Sequence, residues 1–129
     1  MTYLSGENLV AGYGGADILH GCSIDVNEGE IAVIVGPNGS GKSTAMKAIF
    51  GMLNLKSGNV KIKGEDITSL SVFERVKKGM AFVPQTNNVF TSLTVEENLE
   101  MGAFLQQDDF SSTMEDVYAL FPVLKDKRK

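Results

Sequence analysis

A lysine, a serine and a threonine follow a glycine-rich run in this chain, and residues of these types at this spacing could bind phosphate. The pattern is G-x-x-x-x-G-K-[ST], and it comprises Gly36, Pro37, Asn38, Gly39, Ser40, Gly41, Lys42, Ser43 and Thr44. Glycines allow the backbone conformations and close approaches that a Cβ would block. Amides at a helix N-terminus would surround a β-phosphate, Lys42 would reach the β- and γ-phosphates, and the Ser43 hydroxyl would bind Mg²⁺. The pattern therefore predicts a site for a nucleoside triphosphate with Mg²⁺. The alternative is a glycine-rich turn that contains these residues by chance.

The segments on either side of this loop match the structural context that the motif requires. Residues 30–35 form a short apolar, β-branched run, which predicts a buried parallel strand. Residues 43–52 predict a helix, because an apolar stripe runs along one face of it, made of Ala45, Met46, Ile49, Phe50 and Leu53. The predicted order of strand, glycine loop and helix supports the phosphate-binding interpretation over the chance turn.

The remaining segments predict an α/β arrangement. Strands are expected at about 3–10, 16–26, 60–64 and 80–83, with turns at 27–30 and 56–59. Capping boxes at Ser71 with Glu74 and at Thr94 with Glu97 predict the starts of two further helices. A last helix is expected to be capped at residues 112–115 and to run to about residue 120, just before Pro122.

Size and composition narrow the class of protein. The 129 residues allow at most one ordinary domain, and 43% hydrophobic with 22% charged residues is typical of a soluble globular protein. A net charge of −4 argues against nucleic acid as a partner, and no run is apolar enough for a membrane span or a signal peptide. Cys22, the sole cysteine, suits a reducing cytoplasm and is expected to pack in the core, whereas His20 is expected at a surface or sheet edge.

Four features, taken in order, make the chain resemble the ATP-binding cassette (ABC) transporter ATPases. They are Tyr13, the phosphate loop, Gln85 in the segment 82–85, and the segment Leu93-Thr94-Val95-Glu96-Glu97-Asn98-Leu99. The resemblance implies that Tyr13 stacks on adenine, with Ile18 adding an apolar contact, and that Gln85 contacts Mg²⁺ or the attacking water. Without the phosphate loop, Tyr13 could equally be an aromatic residue packing at a strand end.

The resemblance also implies an architecture and partners. The expected fold is an α/β P-loop NTPase with an antiparallel β part carrying Tyr13 (1–30), a P-loop core with part of a parallel sheet (31–83), and the Q-loop with the start of a helical subdomain (84–129). ATP and Mg²⁺ are the implied ligands. Transmembrane permease subunits and a second nucleotide-binding subunit are the implied partners, at the cytoplasmic face of the cell membrane. The finer resemblance is to the branched-chain amino acid importer ATPases, although these usually carry an acidic residue where this chain has Gln85.

Other motifs of the resembled family do not occur in these 129 residues: the Walker B strand with its catalytic Glu, the signature Leu-Ser-Gly-Gly-Gln, the D-loop and the switch histidine. We therefore expect an N-terminal portion of an ABC ATPase that binds nucleotide at most and does not hydrolyse ATP at a useful rate. Its buried strands would lack neighbours, so rearrangement, strand exchange or aggregation is expected. The alternatives are a soluble ABC ATPase outside transport, a non-catalytic nucleotide-binding fragment, or another phosphate-loop enzyme such as a small kinase or GTPase.

Overall fold

The computed structural model describes residues 1–106 and 108–129 and contains two compact units, Met1–Phe82 and Val83–Lys129. In the described part of the first unit lie four strands and two helices: β1 (Thr2–Tyr13), β2 (Ala16–Asn27), α1 (Lys42–Phe50), β3 (Ser57–Ile62), β4 (Glu65–Asp66) and α2 (Val72–Lys77). In the described part of the second unit lie α3 (Val95–Gly102), α4 (Ser111–Leu120) and α5 (Pro122–Asp126).

The first unit is built on one antiparallel sheet with the strand order β2-β1-β3-β4. β1 and β2 form a hairpin in which Tyr13 pairs with Ala16, and Gly14 takes a φ of 62° in the tight turn between them. Polar and apolar residues alternate along the second half of β2, so Cys22 packs against the core while His20 is exposed on this edge strand. Both placements confirm the predictions for these two residues.

Helix α1 covers one face of the sheet and supplies part of the core. Its Ala45, Ala48 and Ile49 pack with buried residues of the strands and of the segment after β4, which are Leu9, Ala11, Leu19, Val60, Ile62 and Ile67. Met46, which was expected on the apolar stripe of this helix, is instead 47% exposed. The core therefore fixes α1 against the hairpin, and with it the loop that precedes the helix.

Two predicted buried strands are wrong for this chain. Residues 30–35 and 80–83 lie outside regular secondary structure, and Ile31, Val33 and Val83 are 90%, 78% and 78% exposed. An apolar run becomes a buried parallel strand only when strands pair with it on both sides. Among the described residues no strand pairs with either run, so the parallel part of the expected sheet does not form. Residues 56–59 also differ from prediction, since β3 already begins at Ser57.

Local signals located three of the helix ends correctly. The capping boxes of α2 and α3 are present as predicted, with Glu74 and Glu97 donating backbone N–H groups to the side chains of Ser71 and Thr94. The predicted end of α4 near residue 120 is also confirmed, with Pro122 opening α5. The predicted start of α4 is wrong, because its N-cap is Phe110, which makes no side-chain cap.

Candidate functional site

The glycine loop at 36–41 leads directly into α1 and is shaped by left-handed backbone. Gly39 and Gly41 have φ values of 84° and 94°, and the amide of Ser40 donates to the carbonyl of Pro37 at 3.2 Å to close a turn. A Cβ on Gly36 would lie 2.7 Å from Ser40 Oγ. The three glycines of the motif therefore stand where larger residues would strain the backbone or collide with the loop itself.

The N-terminus of α1 is left without a cap from the protein. Gly41 occupies the N-cap position and has no side chain, and the first helical turn holds no acidic residue. The first hydrogen bond within the helix runs from the amide of Ala45 to the carbonyl of Gly41 at 2.9 Å, so the preceding amides have no partner in the helix. Free amides and the positive end of the helix dipole suit an anion such as a phosphate group.

Lys42 reaches back across the loop. Its ammonium donates hydrogen bonds to the carbonyl of Gly36 and, at 2.9 Å, to the carbonyl of Pro37. The positive charge is thereby held within the loop rather than extended into solvent. It lies in the same concave stretch of backbone that carries the free amides of α1, where both would attract an anion.

A pocket of about 240 Å³ joins this loop to the β1–β2 hairpin. Its lining includes the predicted site residues Tyr13, Ile18, Asn38, Gly39, Gly41, Lys42, Ser43 and Thr44. Ile18 contacts the loop closely, since a Cβ on Gly41 would lie 3.3 Å from Ile18 Cγ2. Tyr13 is 48% exposed, so part of its ring faces solvent and can receive a flat apolar group. The hairpin thus brings an aromatic residue to the phosphate loop across 23 positions of sequence.

The remaining predicted site residues differ in placement. Gly36, Pro37 and Ser40 shape the loop but do not line the pocket. Gln85 belongs to the second unit, where it is exposed in a bend that follows Pro84. Its expected contact with Mg²⁺ therefore stays a prediction.

Two basic residues that sequence patterns did not identify make contacts that involve α1. The ammonium of Lys47 lies 5.9 Å from the centroid of the Tyr13 ring, and the buried guanidinium of Arg75 binds carbonyls at the C-terminal end of the helix. Burial lowers the pKa of Arg75 from its ordinary value. Sequence patterns could not predict these contacts, because each contact joins residues that are more than 25 positions apart.

The chemistry of these groups fits a nucleoside triphosphate. Amides, an ammonium and a hydroxyl meet beside an aromatic ring, which matches phosphates at one end and a base at the other. Across residues 1–106 and 108–129, no group of three or more His, Cys, Asp and Glu side chains is arranged to hold a metal ion. A cation here would take oxygen ligands from Ser43 and from the phosphates themselves.

The fold and the loop define the class, an α/β protein of the P-loop NTPase type. The chain belongs to the ABC transporter family, which it matches over residues 19–128. Both predictions from the sequence are therefore confirmed: the α/β fold class of a P-loop NTPase and the resemblance to the ABC family.

Relatives similar to this chain include ATP-binding proteins of two transport systems. A probable branched-chain amino acid transport ATP-binding protein of Archaeoglobus fulgidus is 43% identical over 118 residues, covering 91% of this chain and 50% of that protein. The high-affinity branched-chain amino acid transport ATP-binding protein of Pseudomonas aeruginosa is 39% identical, covering 96% and 54%. The lipopolysaccharide export system ATP-binding protein of Haemophilus influenzae is 37% identical, covering 77% and 41%. The chain spans about half the length of the curated relatives it matches.

Solved structures agree with the family. A nucleotide-free ATP-binding cassette from an ABC transporter superposes with a TM-score of 0.77 at 30% identity, covering 99% of this chain and 56% of that one. An ATP-binding cassette of an ABC transporter in its ADP conformation gives a TM-score of 0.73 at 38% identity, covering 84% and 43%. Within the described ranges, none of the helices is both long and apolar enough to cross a membrane.

Proposed function

We propose that this chain is the nucleotide-binding part of an ABC transporter ATP-binding subunit, and that it binds ATP with Mg²⁺ in the pocket between the glycine loop and the β1–β2 hairpin. The observation that carries the proposal is the convergence of Lys42, the free amides of α1 and the exposed ring of Tyr13 on one pocket. A loop that bound only phosphate would not need the aromatic residue. The family membership supports the same ligand.

Each group has a proposed role. The amides of Asn38 to Thr44 bind the β-phosphate, and Lys42 exchanges its carbonyl partners for β- and γ-phosphate oxygens. The Ser43 hydroxyl binds Mg²⁺, which would neutralise charge between the phosphates, and the expected contact of Gln85 with Mg²⁺ or the attacking water stays a prediction. Tyr13 stacks on the adenine and Ile18 packs against the ring edge. We propose the three parts of the domain as 1–30, 31–83 and 84–129, with Tyr13, the phosphate loop and Gln85 in successive parts.

Hydrolysis is not part of the proposal for these 129 residues. Phosphoryl transfer depends on positioning and electrostatic stabilisation, and the sequence holds neither the Walker B pair nor the signature motif that supply them in the family. We propose that the family's activity, ATP hydrolysis driving transport, requires those groups in addition. This chain alone then binds nucleotide without turnover.

A groove in the second unit supports the proposed partner. It has a volume of about 780 Å³ and apolar lining residues that include Val89, Phe90, Leu93, Leu99 and Met101. Asn98 also lines the groove and connects the segments on either side of it. Its side chain accepts a hydrogen bond from the amide of Phe90 at 2.8 Å and donates to the carbonyls of Phe90 and Thr94 at 3.0 and 2.8 Å. An apolar groove suits an amphipathic helix, and we propose that a cytoplasmic helix of a permease subunit occupies it.

The relatives support a proposal for the solute and for the cellular setting. The two branched-chain amino acid relatives share higher identity over more of this chain than the lipopolysaccharide export relative does, which favours branched-chain amino acid import. Lipopolysaccharide export is the second candidate. For either role, we propose that the subunit lies at the cytoplasmic face of the membrane and pairs with a second nucleotide-binding subunit. A soluble, non-transport ABC ATPase is the remaining alternative, and co-purification with permease subunits distinguishes it.

Titration of the purified chain with ATP and Mg²⁺ by calorimetry tests the ligand. We expect saturable binding that Lys42→Ala abolishes and Tyr13→Ala weakens, with no steady-state phosphate release from the wild type. Wild-type protein that fails to bind would refute the proposed ligand. Turnover that is lost in Lys42→Ala would refute the proposed lack of hydrolysis.

A further inference from the structure

Tyr13 lies close to a lysine that no sequence motif identifies. Lys47 lies in the last turn of α1, and its ammonium is 5.9 Å from the centroid of the Tyr13 ring. This distance is within the range of a cation–π contact, in which the ammonium is attracted to the negative face of the ring. Lys47 is less exposed to solvent than Tyr13, which is 48% exposed.

The lysine does not line the pocket beside the glycine loop, although Tyr13 does. Its effect on a ligand in that pocket would therefore pass through the ring. Tyr13 is the last residue of β1, and the two residues that follow it are glycines, which have no side chains to pack against its ring. α1 is fixed by the core, and a contact from α1 would transmit that rigidity to the ring.

We propose that Lys47 is a positioning residue that holds the Tyr13 ring so that its other face can stack on the nucleotide base. The inference rests on the proposed function, because it assumes that the pocket binds a nucleotide. It adds a determinant of base binding that acts through α1, the helix that also presents the phosphate-binding amides. The phosphate and base ends of the ligand would thus be set by opposite ends of one helix.

The test compares a ligand that has a base with one that lacks it. Binding of ATP and of inorganic triphosphate, each with Mg²⁺, is measured by calorimetry at about 150 mM salt, where long-range charge effects are screened. Lys47→Met retains the apolar stem without the charge, and Lys47→Arg retains the charge and the cation–π contact. We expect Lys47→Met to weaken ATP about two- to fivefold, Lys47→Arg to restore it, and triphosphate to be unaffected in both.

Two controls sharpen the test. Lys77 lies 4.6 Å from the centroid of the Phe73 ring on α2, so Lys77→Met removes a cation–π pair away from the pocket and should change neither affinity. In a Tyr13→Ala background, Lys47→Met should have no further effect on ATP.

Equal weakening of ATP and triphosphate by Lys47→Met would overturn the inference in favour of a direct charge effect on phosphate. An unchanged ATP affinity would also overturn it, while leaving the proposed function intact. Wild-type protein that binds neither ligand would instead refute the proposed function and the inference together.

Discussion

Arg75 Nη1 lies 2.6 Å from the carbonyl oxygen of Ile49, and this hydrogen bond joins α2 to the C-terminal end of α1. The same guanidinium donates to the carbonyls of Thr68 at 2.9 Å and Leu70 at 3.1 Å, while its residue is only 3% exposed. Its recorded partners are carbonyl oxygens, so its charge is balanced by dipoles, including the negative end of the α1 dipole.

Replacing Arg75 should destabilise the first unit strongly. Arg75→Met leaves the carbonyls of Ile49, Thr68 and Leu70 without this donor, and we expect a loss of about 2–4 kcal/mol in the free energy of unfolding. Urea denaturation followed by circular dichroism measures it. Arg75→Lys should recover only part of the loss, because an ammonium cannot reproduce the planar fork. Full recovery with Lys would mean that charge alone, rather than the set of hydrogen bonds, accounts for the stabilisation.

Gly41→Ala should impair the phosphate site more than the fold. The φ of 94° is strained for alanine, and the added Cβ would lie 3.2 Å from Cδ2 of the buried core residue Leu19. We expect ATP affinity to fall about tenfold or more, equivalent to about 1.4 kcal/mol or more. Gly64→Ala is the matched control, since its φ is 79°, its surroundings are open and it lies in the β3–β4 turn. Equal losses of affinity in both variants would show a general effect of folding.

The two capping boxes offer a paired test of local stability. Thr94→Ala should cost about 1 kcal/mol and expose the first turn of α3, because the amide of Glu97 loses its acceptor. Ser71→Ala should do the same for α2. Amide hydrogen exchange distinguishes them, since each variant should speed exchange only in its own helix and unit. Faster exchange in both helices from one substitution would contradict a local effect of the cap.

These capping boxes also show what could be predicted from sequence. Ser71 and Thr94 act on residues three positions away, so their patterns contain the whole interaction. The phosphate loop was predictable for the same reason. The runs at 30–35 and 80–83 were not, because the burial of an apolar run depends on partner strands elsewhere. Arg75 and Lys47 were missed because a basic residue on a short helix gives no signal of which distant group it contacts.

The exposed run at 30–35 should promote self-association. Val33 is 78% exposed in an apolar, β-branched segment, which is typical of an aggregation-prone strand. Val33→Lys should leave the free energy of unfolding within about 0.5 kcal/mol and increase the monomer fraction in light scattering. His20→Lys adds the same charge at an exposed site on β2 and serves as the control. An equal gain in monomer from His20→Lys would assign the effect to net charge.

Acid should weaken the turn after β4. Hydrogen bonds from Thr68, its side chain first and then its amide, hold the pKa of the exposed Asp66 carboxyl below its ordinary value. A lowered folded-state pKa means that the stabilisation is present above about pH 4 and is lost as pH falls through the folded-state value. The Thr68 amide resonance should therefore titrate with a midpoint below the ordinary pKa of an aspartate carboxyl, and Asp66→Asn should abolish that titration. A midpoint at or above the ordinary value would contradict the hydrogen bond.

The two ends of α1 differ in where their stabilisation comes from. Arg75 and the left-handed Gly51 complete the C-terminal end from within the chain, whereas the N-terminal end has no side-chain cap. On the proposed function, thermodynamic linkage makes the apparent stability of the first unit depend on the anions in the buffer. A phosphate compound at a hundred times its dissociation constant would add about 2.7 kcal/mol. Melting temperatures measured in phosphate and in an amine buffer should therefore differ, and the difference would itself measure occupancy of the loop.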